Sequence, residues 1–513
     1  MRVHECITNC LYIGNKKFKQ MKTIKLILIV LLLVFYSTLK SQNQNSNWIY
    51  GFEDTIYNEN CGKILWHCDK NGNSIKYIDT ELNFESTAAA ISDAAGHLLL
   101  YTNGCSIADS TYKVIKNGYG LNPGVEHDKV CGEIGYTVPN GAMFLAMDNN
   151  NKFVLIHLAA KNDSSYYDYG PLYYTVIEKR EDHYEVIEKN VIILKDSIES
   201  FSVIRHANGL DWWIIVPRNG SNKYYKFLFT YYGIEEKGFQ EVGLDLPDEF
   251  CRIPGLSGFS PDGRKYVRYN RSCGILLFDF DRCTGDLKNG IYESVGYFAD
   301  DLSSDFTFSP DSKYIYISKF NHHRYFPKYY ENKLYKLDLN AIGIKANPFD
   351  VYDLYYYHRI GRFYTDVDST LYLLYAFSSN IFNEIDEKKL SNNELIPDYF
   401  VSPVLNAMTV PYFANYSIGE IDCSTDKTHD LVELKEKIKI SPIPFHNKIN
   451  IEPQDKKLKY NFNIIDINGQ VIYKSDKELS GASSIYLPQM KQGIYIYHFI
   501  LKGEDYFIKA IKI

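Results

Sequence analysis

One loose motif recurs along most of this chain: a polar turn carrying Asp, Asn or Gly, followed at once by a run of aromatic and β-branched residues. It runs from Ser92 to Tyr101, Asp148 to Ile156, Ala207 to Val216, Phe259 to Val267, Phe308 to Ile317, and more faintly Thr365 to Leu374. The turns fall about 50 to 60 residues apart, close to the span of one four-stranded propeller blade. Pro fixes φ at the first turn position in Ser260-Pro261-Asp262-Gly263 and Ser309-Pro310-Asp311-Ser312, and the residues after it tolerate a tight reversal. The apolar run that follows is expected to be a central strand. Weaker units at Gly274 to Asp281 and Asn332 to Leu339 read as the next strands outward. A hairpin this thin cannot bury both of its faces, so such units must stack side by side and close into a ring that hides their edges. Six occurrences imply six blades or more, and Trp48 to Phe52 reads as a first strand that would complete the last blade.

Composition agrees. The 45 Tyr and 29 Phe among 513 residues favour strands over helices, and the length allows two to four domains. A net charge of -7 without charged blocks gives no footprint for nucleic acid or an anionic membrane surface.

The chain closes on a second β-rich block. It opens with Ile440-Ser441-Pro442-Ile443-Pro444-Phe445. Tyr460 to Ile467, the pair Asn468-Gly469 and Val471 to Lys474 follow, and then Gly493 to Tyr497 and Tyr506 to Ile513. Asn-Gly between two β-rich runs signals a tight hairpin, because a type I′ turn needs positive φ at both central positions. Several short strands in so few residues predict a small sandwich. The proline-rich opener, the hairpin IIDINGQVIY, the ending QGIYIYHFILKGEDYFIKAIKI and the position flush with the terminus resemble the C-terminal sorting domain of proteins exported by the type IX secretion system. Ile443 departs from the family's usual Asn between the prolines. The resemblance implies that residues 439–513 are handled by the type IX machinery and that the protein is secreted or displayed at the cell surface. The repeats have relatives of their own. FSPDG and FSPDS resemble WD40-like and surface-layer propeller repeats, and AAAISDAAGHLLLYTNG and RHANGLDWWIIVPRNG resemble exported propellers that precede such sorting domains.

The opposite end has the pattern of an export signal. Lys22 and Lys25 precede an apolar run, Leu26 to Phe35, of about ten residues, half of what a spanning helix needs. Cleavage near Ser41-Gln42 is expected, Met21 is the expected translation start, and the mature protein is expected to have no transmembrane segment.

Eight cysteines lie beyond this signal: Cys61, Cys68, Cys105, Cys131, Cys251, Cys273, Cys283 and Cys423. An even number in an exported chain predicts disulfides, with Cys61 to Cys68 and Cys105 to Cys131 as near-sequence pairs. No Cys-x-x-Cys is present, so thiolate metal sites are not expected.

Candidate chemistry is sparse. Arg205 and His206 beside Asp211 could pair a base with an anion grip, but the same residues suit the bracing of a blade hairpin. His322 and His323 read as a loop. Asp300, Asp301, Asp305, Asp366 and Asp368 could hold calcium in turns, though no EF-hand spacing is present and turn capping accounts for them equally. No Gly-x-Ser-x-Gly elbow, sialidase box or phosphate loop is found. Adjacent tyrosines at 166–167, 224–225, 231–232, 329–330 and 355–357 alternate across strands, so some rings would face outward and suit sugar or protein contacts. No residue is assigned as catalytic and no cofactor is called for, calcium remaining open.

The reading is thus all-β, a six- or seven-bladed β-propeller followed by a small C-terminal β-sandwich. Residues 1–42 form the signal region, 46–425 the propeller, 426–438 a linker and 439–513 the sorting domain. The expected role is a binding or interaction module with an extracellular protein or glycan ligand, the alternative being a secreted hydrolase or lyase acting on glycans or peptides.

Overall fold

The computed structural model describes residues 44–512 apart from 54–61, 69–72, 149–150, 162–167, 246–253, 296–303, 323–329, 341–348, 355–359, 366–369, 376–378, 386–398, 407–410, 424–436, 442–446, 467–469, 502–503 and positions 231, 272, 422, 476 and 492. The signal region, most of the linker, His323 and four of the five candidate calcium aspartates therefore lie outside the described residues. The chain divides into two compact units, Met1–Glu420 and Ile421–Ile513.

The first unit is a succession of antiparallel meanders. Blade 1 has three strands, Asn47–Phe52, Gly62–His67 and Ser74–Tyr77. Six four-stranded blades follow, beginning with the inner strands Ala89–Ser92, Ala142–Asp148, Ser202–Arg205, Leu256–Phe259, Asp305–Phe308 and Ile360–Thr365. Seven blades are thus present among the described residues. The recurrent motif has one structural meaning throughout: it is the turn from a blade's inner strand into its second strand. Trp48 and its neighbours belong to blade 1, where they pair with Gly62–His67. Among the described residues they do not extend the sheet of the last blade as the sequence suggested. The outer strands of blades 2 and 3, Val114–Tyr119 and Tyr184–Leu194, also meet through a parallel bridge at Lys116 and Glu185.

Successive side chains on a strand point to opposite faces, and here each face feeds a different blade interface. Trp212 and Ile214 enter the cluster shared by blades 2, 3 and 4, whereas Trp213 and Ile215 enter the one between blades 4 and 5. Tyr224 and Tyr225 split the same way, both buried. Further clusters join blades 1 and 2 through Ile49 and Tyr101, blades 5 and 6 through Val267 and Ile315, and blades 6 and 7 through Tyr316 and Leu373. The last joint returns to the first blade, with Trp48 and Trp66 packed edge-on against Tyr372 at 6.2 and 5.9 Å. The Tyr50 hydroxyl also donates to Ser402 Oγ of blade 7 at 2.9 Å. Among the described residues, apolar clusters thus join neighbouring blades around the ring, as a closed toroid requires.

The turns repeat the chemistry their sequence announces. Ser260 Oγ donates to Asp262 and accepts from the Lys265 amide, and Ser309 does the same with Asp311 and the Lys313 and Tyr314 amides. Gly263 and Ser312 occupy the same place in these turns, with φ of 70° and 59°. A Cβ on Gly263 would come within 2.4 Å of the Ile418 side chain, which would have to shift to admit a larger residue.

The second unit packs two sheets. Ile438–Ser441, Lys448–Pro453 and Ser483–Tyr486 form one. The other is ordered Val471–Lys474, Lys459–Asp466, Gly493–Leu501 and Glu504–Lys512, with Leu479–Ser480 paired to Lys459–Asp466. Alternate residues Tyr460, Phe462 and Ile464 turn inward to meet Ile449, Ile451, Tyr497 and Phe499. The strands of the predicted hairpin pair, with Ile464 facing Tyr473 and Asp466 exchanging backbone and side-chain hydrogen bonds with Gln470, while Asn468 and Gly469 lie outside the described residues.

Candidate functional site

A propeller's natural site is its axis, and here the axis is occupied by the chain itself. Pro411 to Glu420 has no regular secondary structure. Its side chains nevertheless visit blade after blade. The Tyr412 amide donates to Ala88 at the start of blade 2's inner strand, and the Tyr412 hydroxyl lies beside Ser202 at the start of blade 4's. Phe413 packs into the clusters of blades 1 and 2, Ala414 and Tyr416 into that of blades 2 to 4, and Ile418 into that of blades 4 and 5. Asn415 Nδ2 reaches Pro261 O in the turn of blade 5 at 3.0 Å. At the far end Gly419 O accepts from Arg282, and a Cβ on Gly209 would strike the Glu420 side chain. The segment therefore enters at the level where the inner strands begin and leaves at the level of their turns, in contact with blades 1 to 5 along the way. Burial pushes the Tyr412 hydroxyl up to about 12.

The three sequence candidates sit at the mouth where this segment leaves, and they diverge. Arg205 turns toward the axis. Its guanidinium lies over Trp212 and Tyr416, at 5.1 and 5.7 Å, and donates to Tyr416 O at 3.3 Å. Burial lowers its pKa. His206, one residue on, turns toward blade 5: Nε2 lies 3.2 Å from Cys283 O, Nδ1 accepts from the Asn208 amide at 3.0 Å, and the ring packs on Trp213. With both ring nitrogens engaged by backbone, the imidazole is held as a brace. Asp211 accepts from Asn208 Nδ2 within the turn. The adjacent Arg205 and His206 thus serve opposite faces of blade 4. Arg282 completes the mouth, donating to the carbonyls of Arg205, His206 and Gly419.

Two buried polar devices escaped the sequence. Glu199 and Arg268, both with fully buried side chains, form a bidentate ion pair at 2.7 and 2.8 Å between blades 4 and 5. Burial alone would lower the Arg268 pKa, but the Glu199 charge and hydrogen bonds outweigh it and the net shift is upward. His157 of blade 3 bonds Asn122 at 2.7 Å and Thr175 at 2.9 Å, and burial drops its pKa to about 3, leaving it neutral. The signal for the axial segment was present, since Tyr412, Ala414, Tyr416 and Ile418 are apolar at every second position. Nothing in one sequence pairs Glu199 with Arg268.

Cys105 and Cys131 are disulfide-bonded, and Cys273, Cys283 and Cys423 are also in disulfides. Cys61 and Cys251 lie outside the described residues. His127, on the short helix α1 (Val125–Val130), comes within 4.8 Å of both sulfurs of the first bridge, but bonded cysteines offer no thiolate to a metal. Of the candidate calcium carboxylates, Asp305 is described: it is buried and accepts from the amides of Phe306 and Phe363. Among the described residues no helix is long and apolar enough to cross a membrane.

Comparison with known proteins assigns one end of the chain. Residues 439–512 match the secretion system C-terminal sorting domain. The protein is therefore an exported one, secreted or held at the cell surface. No curated protein matches the chain. Solved structures similar to it include a putative 6-phosphogluconolactonase from Bacteroides fragilis, with 14% identity, 72% of this chain and 99% of that one covered, and a TM-score of 0.39. Another is an exo-β-1,3-galactanase from Phanerochaete chrysosporium, at 10% identity, 74% and 96% coverage and a TM-score of 0.31. A third is a β-propeller domain from Myceliophteria thermophila, at 9% identity, 73% and 96% coverage and a TM-score of 0.27. Likeness at this level carries no functional inference, and the propeller rests on the sheet order and interfaces described above.

Proposed function

We propose that this exported chain works outside the cell as a binding module, engaging a protein or glycan through the faces and rim of its propeller. The observation that carries this reading is the axial segment: Pro411 to Glu420 runs along the inner strands and their turns, where a propeller would otherwise admit a small substrate. The braced His206 supports it, because an imidazole with both nitrogens committed to backbone has no lone pair for a substrate proton. Exposed rings such as Tyr77, Tyr119 and Tyr232 offer flat apolar surface with a polar tip, suited to sugar faces and protein contacts. Glycan and protein arrays probed with the purified mature chain test the proposal. Saturable binding without turnover is the expected result. Turnover of a polysaccharide or peptide that disappears in His206→Ala or Asp211→Ala would replace it with a hydrolase.

A further inference from the structure

Val471–Lys474 is the edge of its sheet, hydrogen-bonded on one side to Lys459–Asp466 and flanked by no strand on the other among the described residues. Edge strands expose backbone donors and acceptors, and proteins usually guard them with charge, proline or a covering element. This edge reads Val-Ile-Tyr-Lys, and Val471 and Ile472 are 51% and 43% exposed. Beside it opens a groove of about 460 Å³ lined by Ile472, Tyr486, Leu487, Met490 and Tyr495, with Asp466 and Lys491 supplying one charge of each sign. An edge whose one charge is Lys474 at its end, next to an apolar groove, suits one kind of occupant. An extended peptide can satisfy the edge with its own backbone while placing an apolar side chain in the groove.

We propose that the secretion machinery reads the sorting domain by adding an extended strand of its own to Val471–Lys474 and seating an apolar side chain in this groove. The proposal rests on the export reading, since it is the sorting-domain match that makes the machinery the partner of this unit.

The test is secretion of the full chain from a bacterium that carries the type IX system. Ile472→Glu places a charge on both edge and groove, and Tyr486→Ser removes an exposed groove wall. Both should reduce the released fraction by about ten-fold or more and leave the protein in the periplasm, with unchanged unfolding midpoints. Tyr77→Ser on the propeller should be released normally. If Ile472→Glu lowers the unfolding midpoint, Tyr486→Ser decides. Normal release of the groove variants, with retention of a chain lacking residues 439–513, would overturn the proposal and leave the export reading intact. Release of the truncated chain would overturn both. A concentration-dependent dimer that Ile472→Glu abolishes without affecting release would assign the edge to self-association and also overturn the proposal.

Discussion

Tyr416 meets Trp212 edge to face at 5.0 Å, joining the axial segment to blade 4, and its hydroxyl accepts the Ala146 amide of blade 3 at 2.8 Å. One side chain thereby ties together two blades and the axial segment. Tyr416→Ala should cost about 3–5 kcal/mol, the range for emptying a buried aromatic site. Tyr416→Phe, which loses only the hydrogen bonds, should cost about 1–2 kcal/mol. Denaturant unfolding of the two variants against the parent gives both values, and equal costs would show that ring packing is not what the residue contributes.

The Glu199–Arg268 pair makes the joint between blades 4 and 5 sensitive to charge. Removing either partner leaves an unpaired buried ion, so Glu199→Ala and Arg268→Ala should each cost about 3–5 kcal/mol. Replacing both with Leu and Met should recover most of that loss. A double variant as unstable as the sum of the singles would mean that the residues are not coupled.

His157 gives stability a pH dependence. Its folded pKa of about 3 lies below the ordinary 6.5, so as pH falls the unfolded chain takes up the proton first. The contribution of the neutral ring is full above about pH 6.5 and is lost toward pH 3, at up to about 1.4 kcal/mol per pH unit. His157→Gln should flatten this part of the stability profile measured between about pH 6.5 and pH 4.5. A variant with the parent's slope would contradict the assignment.

The Cys105–Cys131 bridge spans 26 residues, which corresponds to about 3.5 kcal/mol of loop entropy removed from the unfolded chain. Replacing both cysteines by serine should lower stability by up to that amount while leaving release from the cell unchanged. Loss of release would mean that the bridge serves export.

Much of the architecture was legible in the sequence because each blade announces itself by local chemistry. Pro261 and Asp262 fix a turn, and the run from Lys265 to Asn270 can only be a buried strand. The sorting sandwich was legible for the same reason, through Asp466 to Lys474. The axial segment was not, since its contacts with Ala88, Phe144, Arg205 and Arg282 are all distant in the chain. Its alternation of Tyr412, Ala414, Tyr416 and Ile418 resembles one more strand. The diverging of Arg205 from His206 follows from strand geometry, but which face carried the axis was decided only by where Tyr416 lies.

Hydrogen exchange followed by mass spectrometry on the full chain tests the place of the axial segment most directly. If Pro411 to Glu420 threads the ring, its peptide should retain protected amides, that of Tyr412 among them, and open with the inner strands of blades 2 and 4. Complete exchange of that peptide within the mixing time, while the inner strands stay protected, would show that the segment lies outside the ring.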